Sequence, residues 1–128
     1  MDLIKAKVKK IVQLALKEDI GKGDITSNAI VPRDLRALGL IFSQEEGIIA
    51  GIEVARIVFE SIDEQLEFTP RMKDGDRIEG GVVVSTITGL ARSCLAGERV
   101  SLNFLQRLSG IATLTRKFVD AVADTKAK

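Results

Sequence analysis

The chain has 128 residues, the size of one compact domain, with 45% hydrophobic and 29% charged positions. Nineteen basic against eighteen acidic residues leave a net charge of +1, which makes no electrostatic case for nucleic acid or an anionic membrane. Histidine is absent, which excludes a Ser-His-Asp triad, an imidazole base and any His-containing zinc or facial-triad iron site.

Residues 3–19 carry the first predicted helix. Ile4, Val8, Ile11, Val12, Ala15 and Leu16 fall on one apolar stripe, and Lys17 in the last turn suits the helix dipole. Gly21 and Gly23 stop this helix, and a loop runs through Val31-Pro32. Arg36 to Phe42 reads as a strand turned by Gln44-Glu45-Glu46-Gly47. Gly51 to Ile62 returns to helical spacing through Ala55, Val58, Phe59 and Ile62. Glu67 to Met72 is a short strand, and Lys73-Asp74-Gly75-Asp76 has the chemistry of a tight turn. After Glu79-Gly80-Gly81, the β-branched run from Val82 to Ile87 is the clearest strand.

From about Leu95 the period is helical again. Val100, Phe104, Leu105 and Leu108 form one stripe, and Ile111, Leu114, Phe118, Ala121 and Val122 a second. Ser109-Gly110 between them predicts a break and a new N-cap, with the second helix ending near Ala123. The order of elements is that of an α+β domain whose last helices need a further surface to pack on.

Local motifs taken alone name no chemistry. Gly21-Lys22-Gly23-Asp24-Ile25-Thr26 follows a helix and fails the spacing of a Walker loop, so it reads as a helix stop. Glu18, Asp19 and Asp24 match no calcium loop and read as solvated acids rather than a divalent-cation site. Cys94 is the single cysteine. It cannot form an internal disulfide, fits a reducing compartment, and reads as a structural thiol rather than a nucleophile. No apolar run approaches the ~20 residues of a membrane span, and Met1 to Lys5 is unlike a signal peptide. Lys73 to Ile87 looks like half of a biotinyl or lipoyl carrier domain, but Thr88-Gly89-Leu90-Ala91 stands where that domain bears its modified lysine. Arg92, Arg99, Arg107 and Arg116 are each unexceptional, with Asn103 at i+4 from Arg99.

Five ordered segments, taken together, resemble quinolinate phosphoribosyltransferase, also called nicotinate-nucleotide pyrophosphorylase (carboxylating). Glu98-Arg99-Val100-Ser101-Leu102-Asn103 continuing to Ser109-Gly110-Ile111-Ala112-Thr113 resembles the family's ER-x-x-LN-x-L-x-x-x-SGIAT segment. Leu14 to Thr26 is similar to its ALxEDxGxGDxT opening, and Gly47-Ile48-Ile49-Ala50-Gly51 with the helix ending at Val58-Phe59 to its GvlaG…vF segment. Lys73 to Ile87 and Thr125-Lys126-Ala127-Lys128 also fit.

This resemblance implies an α/β-hammerhead-like N-terminal sandwich over residues 1–110, with 111–128 opening an α/β barrel whose motifs would follow Lys128. It implies a cytoplasmic homodimer that joins quinolinate and phosphoribosyl pyrophosphate with Mg²⁺, and leaves open assembly into a higher oligomer. The products would be nicotinate mononucleotide, pyrophosphate and CO₂, for NAD synthesis. Arg99 would be the substrate-binding residue, offered across the dimer, with Glu98 supporting its guanidinium. No catalytic residue and no metal ligand is expected within these 128 residues, and the isolated chain is expected to be inactive. Two alternatives stay open, a molybdenum-transport-associated paralogue of the same fold and a stand-alone binding module.

Overall fold

The computed structural model describes residues 2–21 and 30–126. It is a mixed α/β structure with α1 (Asp2–Gly21), β1 (Arg36–Phe42), β2 (Gly47–Ile48), α2 (Ile52–Ile62), β3 (Glu67–Pro70), β4 (Arg77–Ile78), β5 (Val83–Leu90) and α3 (Ala91–Lys126). A three-stranded antiparallel sheet has the order β1-β5-β3, and β2 pairs with β4 as a separate ribbon. The β-branched run is the central strand: Val84, Ser85, Thr86 and Ile87 are all buried, because β5 is covered on both faces and both edges. In β1 only the alternate residue Ile41 reaches the core, while Leu38, Leu40 and Phe42 face outward.

Helix α2 lies between two packed layers. Ile52, Ala55 and Phe59 join Ile41, Phe68, Val84, Ile87 and Leu105 in the core under the sheet. Ile57 and Val58, on its other side, meet Val12 and Leu16 of α1 and Val100 of α3. Close approach of α3 to α2 depends on Gly97, where a Cβ would stand 2.7 Å from the Phe59 ring. No described helix is long and apolar enough to cross a membrane.

The structure corrects the sequence reading in four places. Of the predicted α1 stripe, Val12 and Leu16 are buried but Ile4 and Ile11 are exposed. The helix also runs on to Gly21, so its last turn holds Glu18 and Asp19 and no basic residue; Lys17 lies just before that turn. Gly47, read as the end of a turn, instead opens a short strand, Gly47-Ile48, paired with β4.

The largest departure is at Ser109-Gly110, where α3 continues unbroken for 36 residues. The Ser109 hydroxyl has a partner outside its helix and does not cap. It accepts the Ala50 N–H at 3.0 Å and donates to the Ala50 carbonyl at 3.1 Å. One turn on, the Thr113 hydroxyl accepts the Ile48 N–H at 2.9 Å and donates back to the Ser109 carbonyl at 2.7 Å. A mid-helix glycine costs only about 1 kcal/mol, which the remaining turns of so long a helix absorb.

Candidate functional site

Three of the five ordered segments serve one structural joint. The backbone of Ile48 and Ala50 is held by the Thr113 and Ser109 hydroxyls. A Cβ on Gly47 would lie 2.6 Å from Thr113 Oγ1, and one on Gly51, at φ +97°, would lie 2.8 Å from Leu108 Cδ1. Only glycine allows this approach of loop to helix. From the opposite side Asp74 Oδ1 accepts the Ile52 N–H at 3.0 Å, satisfying a free donor at the start of α2. The Gly75 N–H donates to the Ile49 carbonyl at 2.8 Å, and the Ile49 N–H to the Asp76 carbonyl at 2.9 Å. The Gly47–Gly51, Lys73–Asp76 and Ser109–Thr113 segments therefore interlock and fix α3 against the rest of the fold. Ser109→Ala is expected to lower stability by about 1 kcal/mol, since the Ala50 N–H loses its acceptor. Comparing unfolding midpoints of the two proteins checks this, and an unchanged midpoint would remove Ser109 from the joint.

Cys94 is half-buried beside the core under the sheet. Burial pushes its thiol up, and the nearby Asp63 carboxylate raises it further. That carboxylate accepts the Gln65 N–H at 3.0 Å and the Ser93 hydroxyl at 2.8 Å. These two bonds, with the Arg36 charge, hold Asp63 below the usual carboxylate range, so it stays ionised near Cys94 at neutral pH. Thiolate is scarce until the pH exceeds the ordinary thiol range. Alkylation at pH 7.5 is expected to be slower than that of a free thiol, and its rate to go on rising with pH beyond the point where a free thiol levels off. Reaction at the rate of a free thiol would contradict this.

Arg99 leaves the joint and the core alone. It projects from α3, and Nη1 donates to Asp19 Oδ1 at 3.2 Å. Its side chain is 72% exposed, whereas that of Asp19 is 21% exposed. The negative pole of α1 and the two carboxylates of its last turn make this helix end a seat for a cation. Two segments about eighty residues apart, Leu14–Gly21 and Glu98–Asn103, thus meet at one charged contact. Among the described residues a single guanidinium N–H is used there, and the Nε–Nη2 edge, which could make two parallel bonds to a carboxylate or phosphate, has no partner. Asn103 and Arg107 follow at i+4 and i+8 and are exposed along the same side of α3.

The Glu98 carboxylate is exposed, and its carbonyl accepts the Ser101 hydroxyl at 3.0 Å. Asp19 is the carboxylate that reaches Arg99 among the described residues. The sequence reading passed over this pairing, because nothing in spacing links position 19 to position 99. Asp24 and most of the Gly21–Thr26 segment lie outside the described residues. Arg92, unexceptional in sequence, donates from Nε to the Val31 carbonyl at 2.6 Å and ties down the loop before β1. Among the described residues no three Asp, Glu or Cys side chains converge on a metal position.

Comparison with known proteins agrees with the motif pattern. Residues 24–109 match the family model described as quinolinate phosphoribosyl transferase, N-terminal domain. The chain is 42% identical over 115 residues to quinolinate phosphoribosyltransferase [decarboxylating] 1b of Nicotiana tabacum, covering 89% of this chain and 33% of that one. It is 39% identical over 121 residues to the probable nicotinate-nucleotide pyrophosphorylase [carboxylating] of Bacillus subtilis, covering 94% and 42%. The crystal structure of NadC from Streptococcus pyogenes superposes with a TM-score of 0.86 at 39% identity, over 91% of this chain and 42% of that chain. The chain spans between a third and somewhat over two fifths of the length of these relatives. By sequence and by fold, the chain belongs to the quinolinate phosphoribosyl transferase family, as its N-terminal domain.

Proposed function

We propose that these residues are the N-terminal portion of an enzyme that joins quinolinate to phosphoribosyl pyrophosphate in NAD synthesis. Pyrophosphate, CO₂ and nicotinate mononucleotide would be released. In this reading residues 1–110 form a hammerhead-like sandwich and 111–128 lead into an α/β barrel. Two subunits assemble as a cytoplasmic homodimer, with Arg99 of each completing the site on the other's barrel. The observation that carries the reading is the exposed Arg99 fork, partnered among the described residues through Nη1 alone, on the outer side of a helix fixed by the joint.

Quinolinate is a dicarboxylate, and a planar guanidinium edge recognises a carboxylate by charge and by geometry together. Chemistry at the ribose then rests on positioning and on stabilising the charge that develops as pyrophosphate leaves. Mg²⁺, when bound with phosphoribosyl pyrophosphate, supplies charge neutralisation for the departing pyrophosphate. With no acidic cluster among the described residues, the reading assigns it no ligand in this segment.

Exposed apolar residues favour this reading over a stand-alone module. Leu114 and Phe118 are each 70% exposed on α3, with Ile111 beside them, and Leu38, Leu40 and Phe42 line the outer side of β1. Surfaces of this kind pack against something larger, such as the barrel and the second subunit of the proposal. The test is to supply the full-length protein with quinolinate labelled at its 2-carboxylate, phosphoribosyl pyrophosphate and Mg²⁺. Equal release of labelled CO₂ and pyrophosphate is expected; a folded, dimeric full-length protein that releases neither would overturn the assignment.

A further inference from the structure

We propose that Asp19 is a positioning residue for quinolinate binding, holding the Arg99 fork in the orientation that receives a substrate carboxylate. The inference rests on the proposed substrate contact of Arg99 and adds a residue to it. Arginine, like lysine, has large rotamer freedom, and one that is 72% exposed has little packing to limit it. Asp19 is the more enclosed partner, at 21% exposed, on a helix whose Val12 and Leu16 are buried against α2 and α3. Its carboxylate is therefore the fixed member of the pair and the guanidinium the guided one.

The choice of an acid at this position runs against local helix electrostatics. Asp19 adds negative charge to the C-terminal turn of α1, where the dipole is already negative and no basic residue stands. A cation from elsewhere offsets that cost, and among the described residues Arg99 is the one that reaches Asp19. Because the contact with Asp19 uses Nη1 alone, the ion pair itself does not occupy the Nε–Nη2 edge. Substrate can thus bind while the pair stays formed, and Asp19 acts as an anchor rather than a competitor.

The test is steady-state kinetics on the full-length enzyme bearing Asp19→Ala, Asp19→Asn and Arg99→Ala, with each substrate varied in turn. Losing the anchor is expected to raise the KM for quinolinate about five-fold in Asp19→Ala, the scale of ordering one long side chain on binding. The KM for phosphoribosyl pyrophosphate should not move. Asp19→Asn keeps an accepting oxygen and should stay within about two-fold of the parent. In an Arg99→Ala background the Asp19→Ala change should add nothing further, the non-additivity of two residues acting as a unit. An unchanged quinolinate KM in Asp19→Ala, an equal rise in both KM values, or an undiminished effect without Arg99 would each overturn the positioning role. Those outcomes leave the substrate contact standing, whereas an Arg99→Ala enzyme with wild-type quinolinate KM would remove the contact itself.

Discussion

Arg99→Ala in the full-length enzyme is expected to raise the KM for quinolinate about 10- to 100-fold. A charge-assisted hydrogen bond contributes about 1.5–3 kcal/mol, and each 1.4 kcal/mol is a factor of ten. The effect should concentrate on quinolinate, because the fork is suited to a carboxylate and stands apart from the joint that maintains the fold. Thermal stability should scarcely change, since the pair it forms with Asp19 is a surface contact worth well under about 1 kcal/mol. Arg99→Lys restores charge without the planar fork and should recover only part of the loss. Equal damage to both substrates, or a parallel fall in melting temperature, would place Arg99 in the scaffold instead.

Phe59→Ala should be the most destabilising single change in the segment. Phe59 is 2% exposed, its ring lies 6.0 Å from that of Phe68 with a 31° tilt, and it fills the space that Gly97 leaves open. Emptying such a site costs about 3–5 kcal/mol, lost apolar burial together with a cavity that relaxes only in part. The reverse error, Gly97→Val, forces side-chain atoms into the same ring and should cost about 1–3 kcal/mol or more. The two positions touch, so their effects should not add. Gly97→Ala should be milder in a Phe59→Leu background than alone, because the ring edge at 2.7 Å is gone. Melting temperatures of the four proteins measure this directly, and strict additivity would contradict the contact.

Much of this was legible from residues. Strand β1 matches its predicted span at Arg36–Phe42, and β5 and α2 differ from theirs by a few residues, because alternation, β-branching and helical spacing each had a strong local signal. Leu114 and Phe118 were recognisable as a stripe with no partner of its own. Ser109-Gly110 misled because serine and glycine carry the same sequence signature whether they break a helix or serve as its contact with a loop. Only the carbonyl and N–H of Ala50, fifty-nine positions away, decide between the two. Here Ser109 and Thr113 at i, i+4 were the available clue, two hydroxyls one turn apart on one face of the helix. The Asp19–Arg99 contact left still less trace. It depends on how α1 docks on α2 and α3, a tertiary relation that no local pattern encodes.

Subunit mixing tests most directly whether Arg99 completes a site on the partner subunit. Full-length Arg99→Ala subunits, whose barrel site is intact, would be dissociated and reassociated with subunits that keep Arg99 but carry an inactivated barrel. If Arg99 crosses the dimer, each mixed dimer regains one of its two sites, and a random mixture should recover about a quarter of wild-type activity from two nearly inactive parents. If Arg99 served its own barrel, neither site of a mixed dimer would be whole, and a mixture confirmed to contain such dimers yet no more active than its parents would contradict the account.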